Sequence, residues 1–291
     1  MNMMYAITGV TGQVGRAVAE QLLAAGLPVR AVARDARKAA PWAERGCGIA
    51  IADYGDIPAL TAAFAGTEGA FIVIPPNYDP KPGHPDALAM FAALRAALGE
   101  ARPAKIVVLS TIGATAPKPS LLSWLGVMER EFSALPAPLA FLRAGWFMEN
   151  AASDLPGARE TGIIPSFLAP LDKPIRMVAV ADIGRVAAEL LRESWRGRRI
   201  IELEGQRPVS PNDVAAAFSK ILGRPVRAEI VPRETWAALF RSQGTADPTP
   251  RIQMLDGFNE GWVERDNGEA VVVKGIVTLE TALRGLVETG P

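Results

Sequence analysis

One stretch near the N-terminus, residues 3–26 (MMYAITGVTGQVGRAVAEQLLAAG), constrains the fold more than any other part of this chain. Residues 3–8 form an apolar run of strand length. Gly9, Gly12 and Gly15 follow at three-residue spacing. Val14, Ala17, Val18, Leu22 and Ala25 then recur at helical intervals, and Gly26 stands where a C-cap glycine belongs. Strand, glycine turn and helix, in that order, make a glycine motif read as a dinucleotide fingerprint. Gly9 would permit the tight turn, Gly12 the close approach of backbone to a pyrophosphate, and Gly15 the packing of helix on strand. The helix N-terminus supplies free N–H groups and the positive end of its dipole. A βα turn without ligand shares the bare spacing; the flanking strand and helix favour the cofactor.

Composition removes several alternatives. The 291 residues suffice for one large α/β domain or two lobes, and 49% apolar content argues for a globular chain. Lys+Arg and Asp+Glu balance at 31 each, so no net charge points to nucleic acid or an anionic membrane. Cys47 is the only cysteine and His84 the only histidine, which excludes intrachain disulfides, a cysteine-rich metal site and most catalytic triads. Neither a leader-like segment nor an apolar run of membrane-spanning length is visible, so the expected setting is soluble, reducing and cytoplasmic.

A second strand at residues 28–33 ends in Arg34, Asp35, Ala36, Arg37 and Lys38. This is about 20 residues past the last glycine, where such folds meet the adenosine ribose. Arg34, with Arg37 and Lys38 one turn on, would accept the 2′-phosphate of NADP; Asp35 would take the NAD role if the boundary fell one residue later. A solvated basic helix start would look the same. Residues 48–52 read as a third strand closing on Asp53, a candidate either for the adenine amino group or for a loop cap, with Asp56 capping a helix over 57–65. The apolar run 70–74 reads as a doubly buried fourth strand stopped by Pro75 and Pro76. Tyr78, Lys81 and His84 lie in the loop beyond it, His84 reading as a surface or helix-entry residue.

A helix opening at Asp86 leads to a fifth strand over 105–109. Ser110 and Thr111, at its end, could bond a ribose or a reacting carbonyl, or merely cap the strand. A helix over 121–135 and a sixth strand over 139–142 lead into RAGWFMEN, residues 143–150. Five strand-to-helix alternations predict a doubly wound parallel sheet. Past Asn150 the alternation breaks: a loop-rich excursion over 151–175, a helix over 183–191 capped by Asp182, a seventh strand over 200–204 rejoining the sheet, and a helix over 213–222. The expected division is a dinucleotide-binding domain over 1–150, rejoined by 176–205, and a discontinuous substrate lobe within 151–291.

TGVTGQVG, VARDARK, LSTIGA, FLRAGWFMEN and AVADIGRVAAELL, in that order, resemble the NmrA-like group of atypical short-chain dehydrogenases. The similarity is weakest after about Pro232. That resemblance implies a Rossmann-type sheet and an NADP(H) cofactor. It implies a pyrophosphate cradled by Gly9, Thr11, Gly12, Gln13, Val14 and Gly15, and an adenosine phosphate read by Arg34 with Lys38. It sets Pro75, Ser110, Thr111 and the RAGWFMEN turn near the nicotinamide. The departure from standard short-chain dehydrogenases is that their Tyr-x-x-x-Lys pair is missing: none of Tyr5, Tyr54 and Tyr78 has a lysine four residues later. Three readings follow: an NADPH-dependent reductase of quinone-like acceptors, a non-catalytic sensor of NADP(H) redox state, and, disfavoured by the missing tyrosine, an epimerase-like enzyme. Tyr78, Trp124, Trp146, Phe147 and Asn150 are candidates for the acceptor pocket, with core packing the competing role of Trp124, Trp146 and Phe147. The expected partner is a small-molecule acceptor, with no metal, nucleic acid or membrane; a homodimer stays open.

Overall fold

The computed structural model describes residues 4–264 and 268–289; Met3, first residue of the expected opening strand, lies outside them. Eleven segments alternate in the first half: β1 (Tyr5–Thr8), α1 (Gln13–Ala24), β2 (Val29–Ala33), α2 (Ala36–Glu44), β3 (Gly48–Ile51), α3 (Ile57–Phe64), β4 (Gly69–Ile72), α4 (Pro85–Ala101), β5 (Ile106–Thr111), α5 (Ser123–Phe132) and β6 (Leu139–Ala144). The apolar strands β1 and β4 are buried along their whole length, as strands covered on both faces must be. After β6 come a short strand β7 (Trp146–Phe147), a 3₁₀ segment (Met148–Asp154), α6 (Leu155–Glu160), β8 (Ile163–Ser166), β9 (Met177–Val178), α7 (Val180–Arg192) and β10 (Arg198–Glu204). The chain closes with α8 (Pro211–Leu222), β11 (Arg227–Ile230), α9 (Trp236–Ser242), α10 (Thr249–Glu260), β12 (Val271–Lys274) and α11 (Leu279–Thr289).

The main sheet has the order β12-β10-β6-β5-β4-β1-β2-β3, every pair parallel. This is the doubly wound architecture, with its direction of winding reversing between β1 and β4. Ligands of such sheets bind at that reversal, above the carboxyl ends of the strands. One apolar cluster, including Val18, Leu22, Ile183 and Leu191, fills the face under α1 and α7. A second, including Leu60, Phe91, Leu94 and Phe132, fills the opposite face under α3, α4 and α5. A third, with Trp236, Phe240, Phe258 and Trp262, joins the elements that follow β6. No helix among the described residues is long and apolar enough to cross a membrane.

Several details differ from the sequence reading, each with a physical cause. β4 stops at Ile72 because side chains replace the ladder beyond it: Thr8 Oγ1 accepts the Val73 N–H at 2.9 Å, and the Tyr54 hydroxyl donates to the Val73 carbonyl at 2.5 Å. β5 runs on to include Ser110 and Thr111, paired with Arg143 and Ala144 of β6. The excursion over 151–175 holds α6 and most of the 3₁₀ segment besides β8. β10 rejoins the sheet beside β6, as expected, and β12 pairs beyond it; the sequence leaves β12 unmarked, because Val271 and Val272 are exposed and only Val273 packs on the core. Asp182 is not a cap. α7 begins earlier, at Val180, and the fully buried Asp182 carboxylate accepts the backbone N–H groups of Ile276 and Val277 at 2.9–3.0 Å, with Arg185 Nη2 at 3.1 Å.

Candidate functional site

The glycine turn lies at the reversal between β1 and β4. Gly9 has φ +65°, and a Cβ there would meet Val73 Cγ1 at 2.5 Å, so both backbone and neighbour require glycine. A Cβ on Gly15 would overlap the Gly9 carbonyl and lie 2.6 Å from the Thr8 oxygen, fixing helix to strand at closest approach. Gly12 is different. Its backbone is extended (φ −102°, ψ 176°), and the nearest atom to a Cβ would be the Gly9 oxygen at 3.4 Å. The protein's own packing leaves room for a side chain there, yet the position is exposed and bare. No side chain caps α1 and no acidic residue occupies its first turn. Val14 is buried and offers only its backbone, while Thr11 and Gln13 are exposed beside Gly12. An uncapped helix end next to reserved space suits a phosphate group.

At the end of β2, Arg34 and Lys38 are exposed, and no ion pair of either is seen among the described residues. Asp35 is committed elsewhere: it is the N-cap of α2, accepting the Arg37 N–H at 2.8 Å. Asp53 accepts the Gly55 N–H at 3.1 Å, the loop-capping alternative, while Asp56 caps α3 through Ala59. Arg34 and Asp53 both lie within electrostatic reach of the Tyr54 phenol, whose burial pushes its pKa up. The two candidates thus gather on the β2–β3 side of the same crevice.

Above β5 the expected set separates. Ser110 is buried, and its hydroxyl donates to Glu129 Oε1 at 2.6 Å. Glu129 in turn receives a two-pronged contact from Arg143, Nε at 3.0 Å and Nη2 at 2.7 Å. Burial opposes the Arg143 charge, but Glu129 outweighs it and holds the guanidinium above its usual range. The Ser110 hydroxyl thus has a partner within the protein, and half-buried Thr111, next in the strand, alternates to the other face. A charged residue inside the apolar FLRAGW run was the sequence signal for this buried pair, since such a charge needs a partner.

Trp124 is buried on α5, stacked on Phe91 of α4 with centroids 5.7 Å apart. Trp146 and Phe147 are half-buried where the chain leaves β6, Trp146 edge-on to Phe258 at 5.2 Å. Asn150 is exposed. Its neighbour Glu149, not singled out in the sequence, accepts the Val180 N–H with both oxygens at 3.0 Å and so ties the RAGWFMEN turn to the start of α7. Burial pushes the Glu149 carboxyl above its ordinary range. Pro75 is half-buried after β4, and Tyr78 is 59% exposed beyond it. Lys118 pairs with Glu260 at 3.1 Å and sits over the Trp262 ring, while His84 marks the entry to α4.

The chain matches the family model described as the NmrA-like family over residues 1–261. An NAD(P)H azoreductase from Xenophilus azovorans is 31% identical to it over 259 residues, covering 88% of this chain and 85% of the relative. Quinone oxidoreductase 2 from Escherichia coli is 28% identical over 253 residues, covering 84% of this chain and 83% of the relative. An NADPH-dependent quinone oxidoreductase from Escherichia coli, solved in complex with NADPH, superposes with a TM-score of 0.75 at 26% identity, covering 91% of this chain and 92% of the other.

Proposed function

The chain belongs to the NmrA-like family, and we propose that within it this protein is an NADPH-dependent reductase that passes hydride to a quinone-like, electron-poor small molecule. The observation that carries the reading is the room at Gly12 beside an uncapped α1, space that the protein's own packing leaves open. Backbone N–H groups of the Gly9–Gly15 turn, with Thr11 and Gln13 at its rim, would hold the pyrophosphate. Arg34 with Lys38 would read the adenosine phosphate, because Asp35 already caps α2. Asp53, Pro75 and Thr111 would line the adenine and nicotinamide ends. When bound, NADPH supplies the hydride. The azoreductase and quinone reductase names of the relatives support this class of acceptor.

Residues 1–150, rejoined by 176–205, serve as the cofactor-binding part, and elements of 151–291 as the substrate roof. Helix α5 reads SWLGVMEREF and carries no tyrosine, lysine or histidine to protonate an alkoxide. Reduction of an ordinary ketone therefore lacks its usual acid, worth typically about 10²–10⁴-fold. A quinone yields a phenolate instead. A phenol has a pKa of about 10, and water protonates it without a dedicated residue. The protein then has only to hold the ring at near-attack distance, with half-buried Trp146 and Phe147 as flat neighbours.

The same bare α5 favours a second reading, a protein that binds NADP(H) and reports its redox state to a partner. NADPH absorbance followed with simple benzoquinones and with aliphatic ketones separates the two. Quinone turnover above background with ketones inert supports the reductase. Tight NADPH binding with no turnover supports the sensor, and rapid ketone reduction would expose a missed proton donor.

A further inference from the structure

The first turn of α10 is tethered above the neighbouring ends of β4 and β5. Asp79, in the loop after β4, accepts the N–H groups of Ala246 and Asp247 at 2.9 and 3.0 Å. Leu121, in the segment after β5, donates its N–H to the Pro250 carbonyl at 2.9 Å. Arg251 follows directly, half-buried, its guanidinium 4.0 Å from the centroid of the Phe240 ring and within electrostatic reach of the Tyr78 phenol.

Six cations lie over aromatic rings among the described residues, and five of them are also ion-paired: Arg45 with Glu20, Lys105 with Glu68, Lys118 with Glu260, Arg199 with Glu193 and Arg233 with Asp256. Arg251 makes the closest ring approach of the six, and no carboxylate pairs with it among the described residues. The acids nearby in sequence and space are committed: Asp79 to two amides, Asp247 to the Thr249 N–H at 3.0 Å. Burial pushes the guanidinium below its ordinary range, which an apposed oxyanion would reverse. A half-buried cation without counter-charge is unfavourable for the fold alone. Its fork of donors suits a planar or tetrahedral oxyanion.

Resting on the reductase reading above, we infer that Arg251 recognises an acidic substituent on the acceptor. The substrate class is then an electron-poor ring bearing a carboxylate, sulfonate or phosphate group. The group would be held between the Arg251 fork and the loop after β4, with the ring beneath it toward the crevice.

The test compares naphthoquinone with naphthoquinone sulfonate in wild type, Arg251→Ala and Arg251→Met. Methionine keeps an unbranched stem over Phe240 and guards against misfolding. The ratio of kcat/KM for the sulfonated to the neutral quinone should fall about 10- to 100-fold in both variants, through KM, the range of one charge-assisted contact. A ratio that stays within about threefold of wild type in folded Arg251→Met overturns the assignment. Should wild type turn over neither quinone, the reductase reading fails, and binding then decides the role of Arg251 separately. Protein saturated with NADP⁺ would be titrated with naphthalene sulfonate and with naphthol. Tighter binding of the sulfonate, lost in Arg251→Met, upholds the inference; equal binding of the two, or a preference that survives the substitution, overturns it.

Discussion

Two glycines of one turn should respond to the same substitution in opposite ways. At Gly15 an added methyl would overlap the Gly9 carbonyl and lie 2.6 Å from the Thr8 oxygen, backbone atoms of the turn and of the last residue of β1. The Thr8 oxygen cannot retreat without disturbing the pairing of β1 with β2, nor the Gly9 carbonyl without loosening the hydrogen bond it accepts from the Gly12 N–H. Overpacking of this kind costs about 1–3 kcal/mol and occasionally more, and contact with fixed backbone places Gly15→Ala at or beyond the upper end. For a chain of this size about 1 kcal/mol is roughly 2 °C in Tm, so Gly15→Ala should melt at least about 5 °C lower. At Gly12 the methyl would sit 3.4 Å from its nearest neighbour on extended backbone. Only a poorer N-cap is incurred, about 0.5–1 kcal/mol, a shift of 1–2 °C. The methyl would nevertheless occupy the space proposed for the pyrophosphate. Loss of one charge-assisted hydrogen bond, about 1.5–3 kcal/mol, should weaken NADPH by one to two orders of magnitude. Circular dichroism melts and calorimetric titration with NADPH read the two effects separately. Wild-type affinity in folded Gly12→Ala, or wild-type Tm in Gly15→Ala, would refute this account of the turn.

Arg34→Ala should weaken NADPH about tenfold, an exposed contact being screened, and leave NADH binding nearly unchanged; equal wild-type affinity for both cofactors by calorimetry would remove the motive. Glu129→Gln strands the buried Arg143 charge and should cost about 3 kcal/mol in chemical denaturation, against which an unchanged midpoint would count. Burial pushes the Asp154 carboxyl up from its ordinary range to about 7. Because its folded pKa lies above the unfolded one, the native state holds the proton more tightly. Stability on this account declines as pH rises from about 4 to 7, by at most roughly 4 kcal/mol, and is level above. Asp154→Asn should flatten that decline in denaturant melts taken across the window; a wild-type slope in the variant would point to another group.

The parts of this fold legible in the sequence are those whose cause is local. The strand, turn and helix around Gly9–Gly15 carry their own steric demands within a dozen residues, and the helix cap at Asp56 needs only Ala59. What stayed hidden depends on partners brought from afar. β4 ends early because Thr8 and Tyr54 reach Val73 across the sheet. The partner of the Ser110 hydroxyl is Glu129 of α5, itself paired with Arg143 of β6, and neither can be read from the strand that carries Ser110. Asp182 resembles a cap by position but grips Ile276 and Val277, 94 and 95 residues along the chain. β12 sends only Val273 toward the core, and its pairing with β10 is what marks it as a strand.

The winding order also sets a schedule for synthesis. Both neighbours of β1 are complete by Ile72, and the side chains that finish the crevice, Thr8 and Tyr54, act on Val73. Helix α10, which bears Arg251, and the edge strand β12 come from beyond residue 248. A chain leaving the ribosome N-terminus first thus has the strands beside its glycine turn in hand before α7, which packs on α1, and α10 exist. During that interval the turn holds its own strand contacts without the C-terminal elements that are made last.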